Sequence, residues 1–132
     1  MLGYENFSLT TKSNYFVIRQ LYFSFSYFLL PFVNYSQLKG LDLDGTLPDE
    51  FGNLSYLQKL DLSRNYINGS IPKSLGRIFL TKLALPGNRI SGSIPNEISN
   101  IGTLESCKVL EANQLGVHLP PSLGKLSHLR RL

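Results

Sequence analysis

The chain has 132 residues, of which 42% are hydrophobic and 17% charged, with a net charge of +4. That length sets one domain as the expectation, and the composition is ordinary for a globular chain. The positive charge forms no basic run and no nucleic-acid motif, so it reads as solvated surface and nucleic acid is not an expected partner.

Residues 1–32 stand apart in composition. Tyr15 to Val33 reads YFVIRQLYFSFSYFLLPFV, and Lys12 and Arg19 precede a 13-residue apolar run from Leu21 to Val33. Basic first and apolar next is the outline of a secretory signal or anchor. The run is short for a membrane-spanning helix, and NYS after it is a poor cleavage site. Two other readings stay open: a strand or helix packed over the first coil of the repeats that begin at Asn34, or a non-native leader.

From Asn34 onward a frame recurs. Leu57 to Gly76 reads LQKLDLSRNYINGSIPKSLG, a spacing that fits neither a helix nor a strand over its length. Asn65, Ile67, Gly69, Ile71 and Pro72 recur as Asn88, Ile90, Gly92, Ile94 and Pro95. Asn113, Leu115, Leu119 and Pro120 repeat the offsets downstream, and Leu43, Gly45, Leu47 and Pro48 upstream, with Leu41 in the Asn place. The prolines at 48, 72, 95 and 120 are 24, 23 and 25 residues apart. Regularity of this kind is the mark of a solenoid coil.

Coil by coil, Asn34–Tyr56 is imperfect and Leu57–Phe79 the most regular. Leu80–Thr103 follows after a one-residue shortening at RIFL. Leu104–His128 holds one extra residue between Cys107 and Asn113, which predicts a bulge with either Val109 or Leu110 inside. Leu129–Leu132 begins a further coil. In each LxL segment side chains alternate, so Leu60 and Leu62 point inward and Asp61 outward. Asn65, Asn88 and Asn113 are expected inside as a ladder, because an amide offers donors and an acceptor to turn backbone cut off from water. Gly69 and Gly92 are expected at positive φ. Gly52, Gly76 and Gly124, with Asn100 in the third coil, read as C-terminal caps of short helical turns.

The motif LxxLxLxxNxLxGxIPxxLGxL, carried here by LDLSRNYINGSIPKSLG and GNRISGSIPNEI, resembles the plant-type extracellular leucine-rich repeat, above all in the ectodomains of leucine-rich-repeat receptor-like serine/threonine kinases. The resemblance covers residues 33–132. It implies an α/β solenoid of about four coils, with a parallel sheet on the concave face and short helical turns on the convex face. A second strand around Gly-x-Ile-Pro is also implied. The domain organisation expected is an N-terminal segment 1–32 and a leucine-rich-repeat domain 33–132, truncated at the C-terminus. Such ectodomains usually carry paired cysteines in end caps, and Cys107 is the single cysteine here. It takes a leucine place and reads as a small buried hydrophobe.

No catalytic constellation is visible: there is no Gly-rich phosphate loop, HRD or DFG-like pair, HExxH or GxSxG. His118 and His128 do not form a spaced metal-ligand set. The expectation is therefore a non-enzyme without cofactor or metal; any kinase domain of a parent receptor is absent from this chain. The implied function is recognition of a protein or peptide, or of another leucine-rich-repeat receptor, at the extracellular face of the plasma membrane or after secretion. Contact with a membrane would come only through a parent receptor or the N-terminal segment. The concave-face candidates are Lys59, Asp61, Arg64, Lys82 and Lys108, with Ser63, Ala84 and Pro86 beside them. Sequons at Asn34, Asn53 and Asn68 are candidate N-glycosylation sites, and a fourth lies at Asn6. The alternative is a structural fragment of a receptor gene with no ligand of its own.

Overall fold

The computed structural model describes residues 35–116 and 118–132. The aromatic N-terminal segment, the sequons at Asn6 and Asn34, and Val117 lie outside the described residues.

Each coil contributes two short strands and one 3-10 turn. Strands β1 (Tyr35–Gln37), β3 (Lys59–Asp61), β5 (Lys82–Ala84) and β7 (Ser106–Lys108) form a parallel sheet in that order. Strands β2 (Asp44–Thr46), β4 (Tyr66–Gly69), β6 (Arg89–Gly92) and β8 (Gln114–Leu115) form a second parallel sheet. The turns are Asp49–Asn53, Lys73–Arg77, Asn96–Asn100 and Pro121–Lys125. Pro48, Pro72, Pro95 and Pro120 stand just before them in extended backbone, with φ of −74°, −70°, −64° and −59°. The ring fixes φ, and the proline carbonyl then closes the turn. It accepts from the N–H of Phe51, Leu75, Ile98 or Leu123 at 3.0–3.2 Å.

The core fills the space between sheets and turns. Leu60 stacks on Leu83 and Leu83 on Cys107 by strand register, and all are buried. Leu62, Leu85 and Val109 are buried beside them, followed by Ile67 and Ile90 and then by Leu75, Ile98 and Leu123 in the turns. One coil exposes this surface; neighbouring coils close it. Leu119 is the exception, 41% exposed where Ile71 and Ile94 of earlier coils are buried.

The two sheets differ in register. In the first sheet, partners follow the repeat frame: Asp61 opposes Ala84, and Ala84 opposes Lys108. In the second, each coil lags its neighbour by two residues. Gly45 opposes Ile67, Gly69 opposes Ile90 and Gly92 opposes Leu115, although the frame aligns glycine with glycine. An even shift keeps inward side chains inward, so the core survives it.

Three expectations need correction. Gly52 and Gly76 are not left-handed caps. They lie inside their turns, where the next coil comes too close for a side chain. A Cβ on Gly76 would lie 2.3 Å from the Glu97 carbonyl oxygen, and one on Gly52 2.5 Å from Ser74 Cβ. In the third turn that place belongs to Ser99 rather than Asn100, and the Ser99 hydroxyl donates to Ser122 Oγ at 2.8 Å. The extra residue of the fourth coil leaves β7 unbroken: Val109 is buried, Leu110 is exposed, and the surplus falls in the loop before Asn113. Gly69 and Gly92 do have positive φ, at 74° and 82°.

Candidate functional site

The concave sheet ends in a column of asparagines that ties each coil to the one before. Asn88 Oδ1 accepts from Ile67 N–H at 3.0 Å, while its Nδ2 donates to the carbonyls of Leu62 and Leu85 at 2.9 and 3.0 Å. Asn65 does the same for the first coil, accepting from Leu41 and Leu43 and donating to Leu38 and Leu62. Asn113 accepts from Ile90 and donates to Leu85 and to Val109, the latter four residues back rather than three. One side chain thus pairs backbone groups of two coils, and the carbonyls of Leu62 and Leu85 each serve two asparagines.

The residue before each of these places turns left-handed. Gly40, Arg64, Gly87 and Ala112 have φ of 68°, 57°, 72° and 53°. For a residue with a Cβ this conformation costs about 1–2 kcal/mol, so a small residue or glycine is the cheap choice. Arg64 is the one long side chain in this rim. The left-handed backbone at Arg64 and Ala112 was missed from sequence; glycine in the same frame place at 40 and 87 was the available signal.

Behind the rim the concave face forms an open groove of about 310 Å³. Lys39, Arg64, Lys82 and Lys108 supply its cations, and Asp61 and Glu111 its carboxylates. Asp61 does not present itself outward as the alternation suggested. It is only 6% exposed. Its Oδ1 accepts from both the N–H and the hydroxyl of Ser63, and its Oδ2 lies 3.8 Å from Lys82 Nζ. The carboxylate is covered by its own coil and by the lysine of the next. Ala84 is buried in the same column, and Lys108 is exposed. Lys59 is exposed and in register with Lys82, but does not line the groove. The side chains of Lys39, Arg64 and Lys108 have no ion pair or hydrogen bond among the described residues. The groove therefore carries cations that its own acids do not neutralise.

The remaining candidates lie elsewhere. Asn53 is exposed at the end of its convex turn, and Asn68 is exposed on the flank in β4. Cys107 is fully buried, and desolvation pushes its thiol up to about 11. A thiol in that state is a packing group, not a nucleophile. Among the described residues no cluster of His, Cys, Asp and Glu could hold a metal ion, and no helix is long and apolar enough to cross a membrane.

Stacked parallel strands, buried asparagines and proline-led turns define a leucine-rich-repeat solenoid. The Leucine Rich Repeat family model matches residues 56–78 and 79–101. The chain resembles the ectodomains of plant leucine-rich-repeat receptor-like kinases. A probable leucine-rich repeat receptor-like serine/threonine-protein kinase of Arabidopsis thaliana is 54% identical over 95 residues, 72% of this chain and 9% of that protein. The ectodomain of the Arabidopsis receptor kinase HAESA, solved with the peptide hormone IDA and the co-receptor SERK1, superposes with a TM-score of 0.73. It is 34% identical and covers 80% of this chain and 18% of that one. The ectodomain of GASSHO1/SCHENGEN3 from Arabidopsis thaliana, solved with CASPARIAN STRIP INTEGRITY FACTOR 2, has a TM-score of 0.65. It is 42% identical and covers 68% of this chain and 11% of that one. The chain spans less than a tenth of its curated relatives, 4% and 9% of the first two.

Proposed function

We propose that this chain is a non-catalytic recognition module of a receptor-like ectodomain, working on the extracellular side of the plasma membrane. Its concave groove takes an extended peptide or protein segment bearing acidic groups. The observation that carries the reading is the groove itself, where Lys39, Arg64 and Lys108 have no acidic partner among the described residues. The relatives support it, since the solved receptor structures that the chain resembles include complexes with a peptide hormone and with a co-receptor. Arg64 leads the contact. Its planar fork pairs two oxygens of one carboxylate, and it is the one long side chain in the rim formed with Gly40, Gly87 and Ala112.

The test is binding of synthetic extended peptides matched in length and varied in acidic content. Acidic peptides are expected to bind, with affinity that falls as salt rises. Arg64→Gly should weaken binding about tenfold, the loss of one charge-assisted contact. The fold should not suffer, because glycine suits the left-handed backbone. Equal binding of acidic and basic peptides, or binding indifferent to Arg64→Gly and Lys108→Ala together, would remove the groove from the reading.

A further inference from the structure

All four sequons have an aromatic residue two positions before the asparagine: Tyr4 before Asn6, Phe32 before Asn34, and, within the described residues, Phe51 before Asn53 and Tyr66 before Asn68. The sequence does not separate the last two, but the fold does. Phe51 is 1% exposed in the core, whereas Tyr66 is 44% exposed on the flank. Tyr66 and Asn68 are alternate residues of β4, so their side chains share one face. Both project from the side that is opposite to buried Ile67.

The surroundings fix both groups. The Arg89 guanidinium sits 5.0 Å from the Tyr66 ring centroid, a stacking distance that holds the ring in place. Arg89 is also the strand partner of Asn68. On the other side Asn68 Nδ2 donates to Asp44 Oδ1 at 3.4 Å, and Asp44 itself accepts from Gly45 N–H at 2.7 Å. The amide nitrogen has two hydrogens and uses one, so the second is available for chemistry. Gly69, at φ 74°, turns the chain immediately after the asparagine.

We propose that Asn68 is an N-glycan attachment site with a built seat, in which the first sugar lies on the Tyr66 ring. The donor is an oligosaccharide carried on a lipid diphosphate in the secretory pathway. The Nδ2–C1 bond forms as the C1–O bond to the diphosphate breaks; Nδ2 loses one proton and the lipid diphosphate leaves. The proton that remains on Nδ2 keeps the Asp44 hydrogen bond. An N-acetylhexosamine has an apolar C–H face that matches an aromatic ring, and Tyr66 supplies a ring already ordered by Arg89. The aromatic residue two before Asn53 lies in the core and cannot serve as such a platform. A seated sugar covers Tyr66, Arg89 and the second sheet around them, leaving the concave groove as the open face. The inference rests on the extracellular reading above, which places the chain where the donor is.

The experiment is expression of the full chain behind a cleaved leader in a secretory host, with site-by-site mass analysis and melting. Four forms make a cycle: the parent, Asn68→Gln, Tyr66→Val and the double substitution. Tyr66→Val keeps a strand-forming residue, and each comparison with Asn68→Gln is made within its own background. With Tyr66 present, the glycosylated form should melt about 4 °C above its Asn68→Gln counterpart, the shift expected when one aromatic contact is added to a domain of this size. With Tyr66→Val that difference should vanish. The same difference in both backgrounds, or a sugar on Asn53 with none on Asn68, would overturn the seat and leave the extracellular reading standing. Sugar on neither residue would overturn both.

Discussion

Ser74 shows how a single buried hydroxyl constrains the stack. Its Oγ is buried with no hydrogen-bond partner among the described residues, and its Cβ is the atom that a side chain on Gly52 would strike. An unpaired buried hydroxyl costs its desolvation without a compensating bond. Ser74→Ala should therefore leave stability unchanged or raise it by about 1 kcal/mol, measured by urea unfolding. A loss of comparable size would mean that the hydroxyl has a partner, a bound water included. Arg64 is the opposite case, a residue held in a costly conformation where its charge faces the groove. Strain of that kind is a reason to look for function at a position, and it motivates Arg64→Gly as the binding variant.

The turns are the elements in which packing leaves least room. With the Glu97 carbonyl 2.3 Å from any Cβ on Gly76, Gly76→Ala must push two coils apart or distort the turn. A cost of about 1–3 kcal/mol is expected for overpacking of this kind, read as a lower melting midpoint. Gly124→Ala is the control, because nothing among the described residues lies within 4 Å of its Cβ position. Much of this architecture was legible in the chain. The leucine, asparagine and proline frame marked both strands and the turn of each coil, and it aligned Asp61, Ala84 and Lys108 in one column. Other features were not legible, for physical reasons. Glycine serves left-handed backbone and close approach alike, so Gly76 was read as a cap when it is a contact. Val109 and Leu110 are both apolar, and only strand register decides which is inside. Alternation sends Asp61 outward, but its cover comes from Ser63 and Lys82, one of them in another coil.

At the scale of the molecule, stability runs from coil to coil through shared carbonyls. Asn65 and Asn88 both donate to Leu62 O, and Asn88 and Asn113 both donate to Leu85 O. Asn65 and Asn113 share no partner. In double-mutant cycles with alanine, the two adjacent pairs should show coupling of about 0.5–3 kcal/mol, while Asn65 and Asn113 should add within about 0.5 kcal/mol. Strong coupling between the distant pair, with none between neighbours, would contradict a nearest-neighbour stack. The register difference between the sheets has a consequence for anything that docks on this solenoid. Along the concave face equivalent repeat positions form straight rows, because Lys59 meets Lys82 and Asp61 meets Ala84. Along the flank the rows run diagonally, because Asp44 meets Tyr66 and Asn68 meets Arg89. A repeat consensus therefore describes what a concave ligand meets but scrambles what a flank partner meets. On that side the pattern to read or to engineer is the slanted one, two residues out of step at every coil.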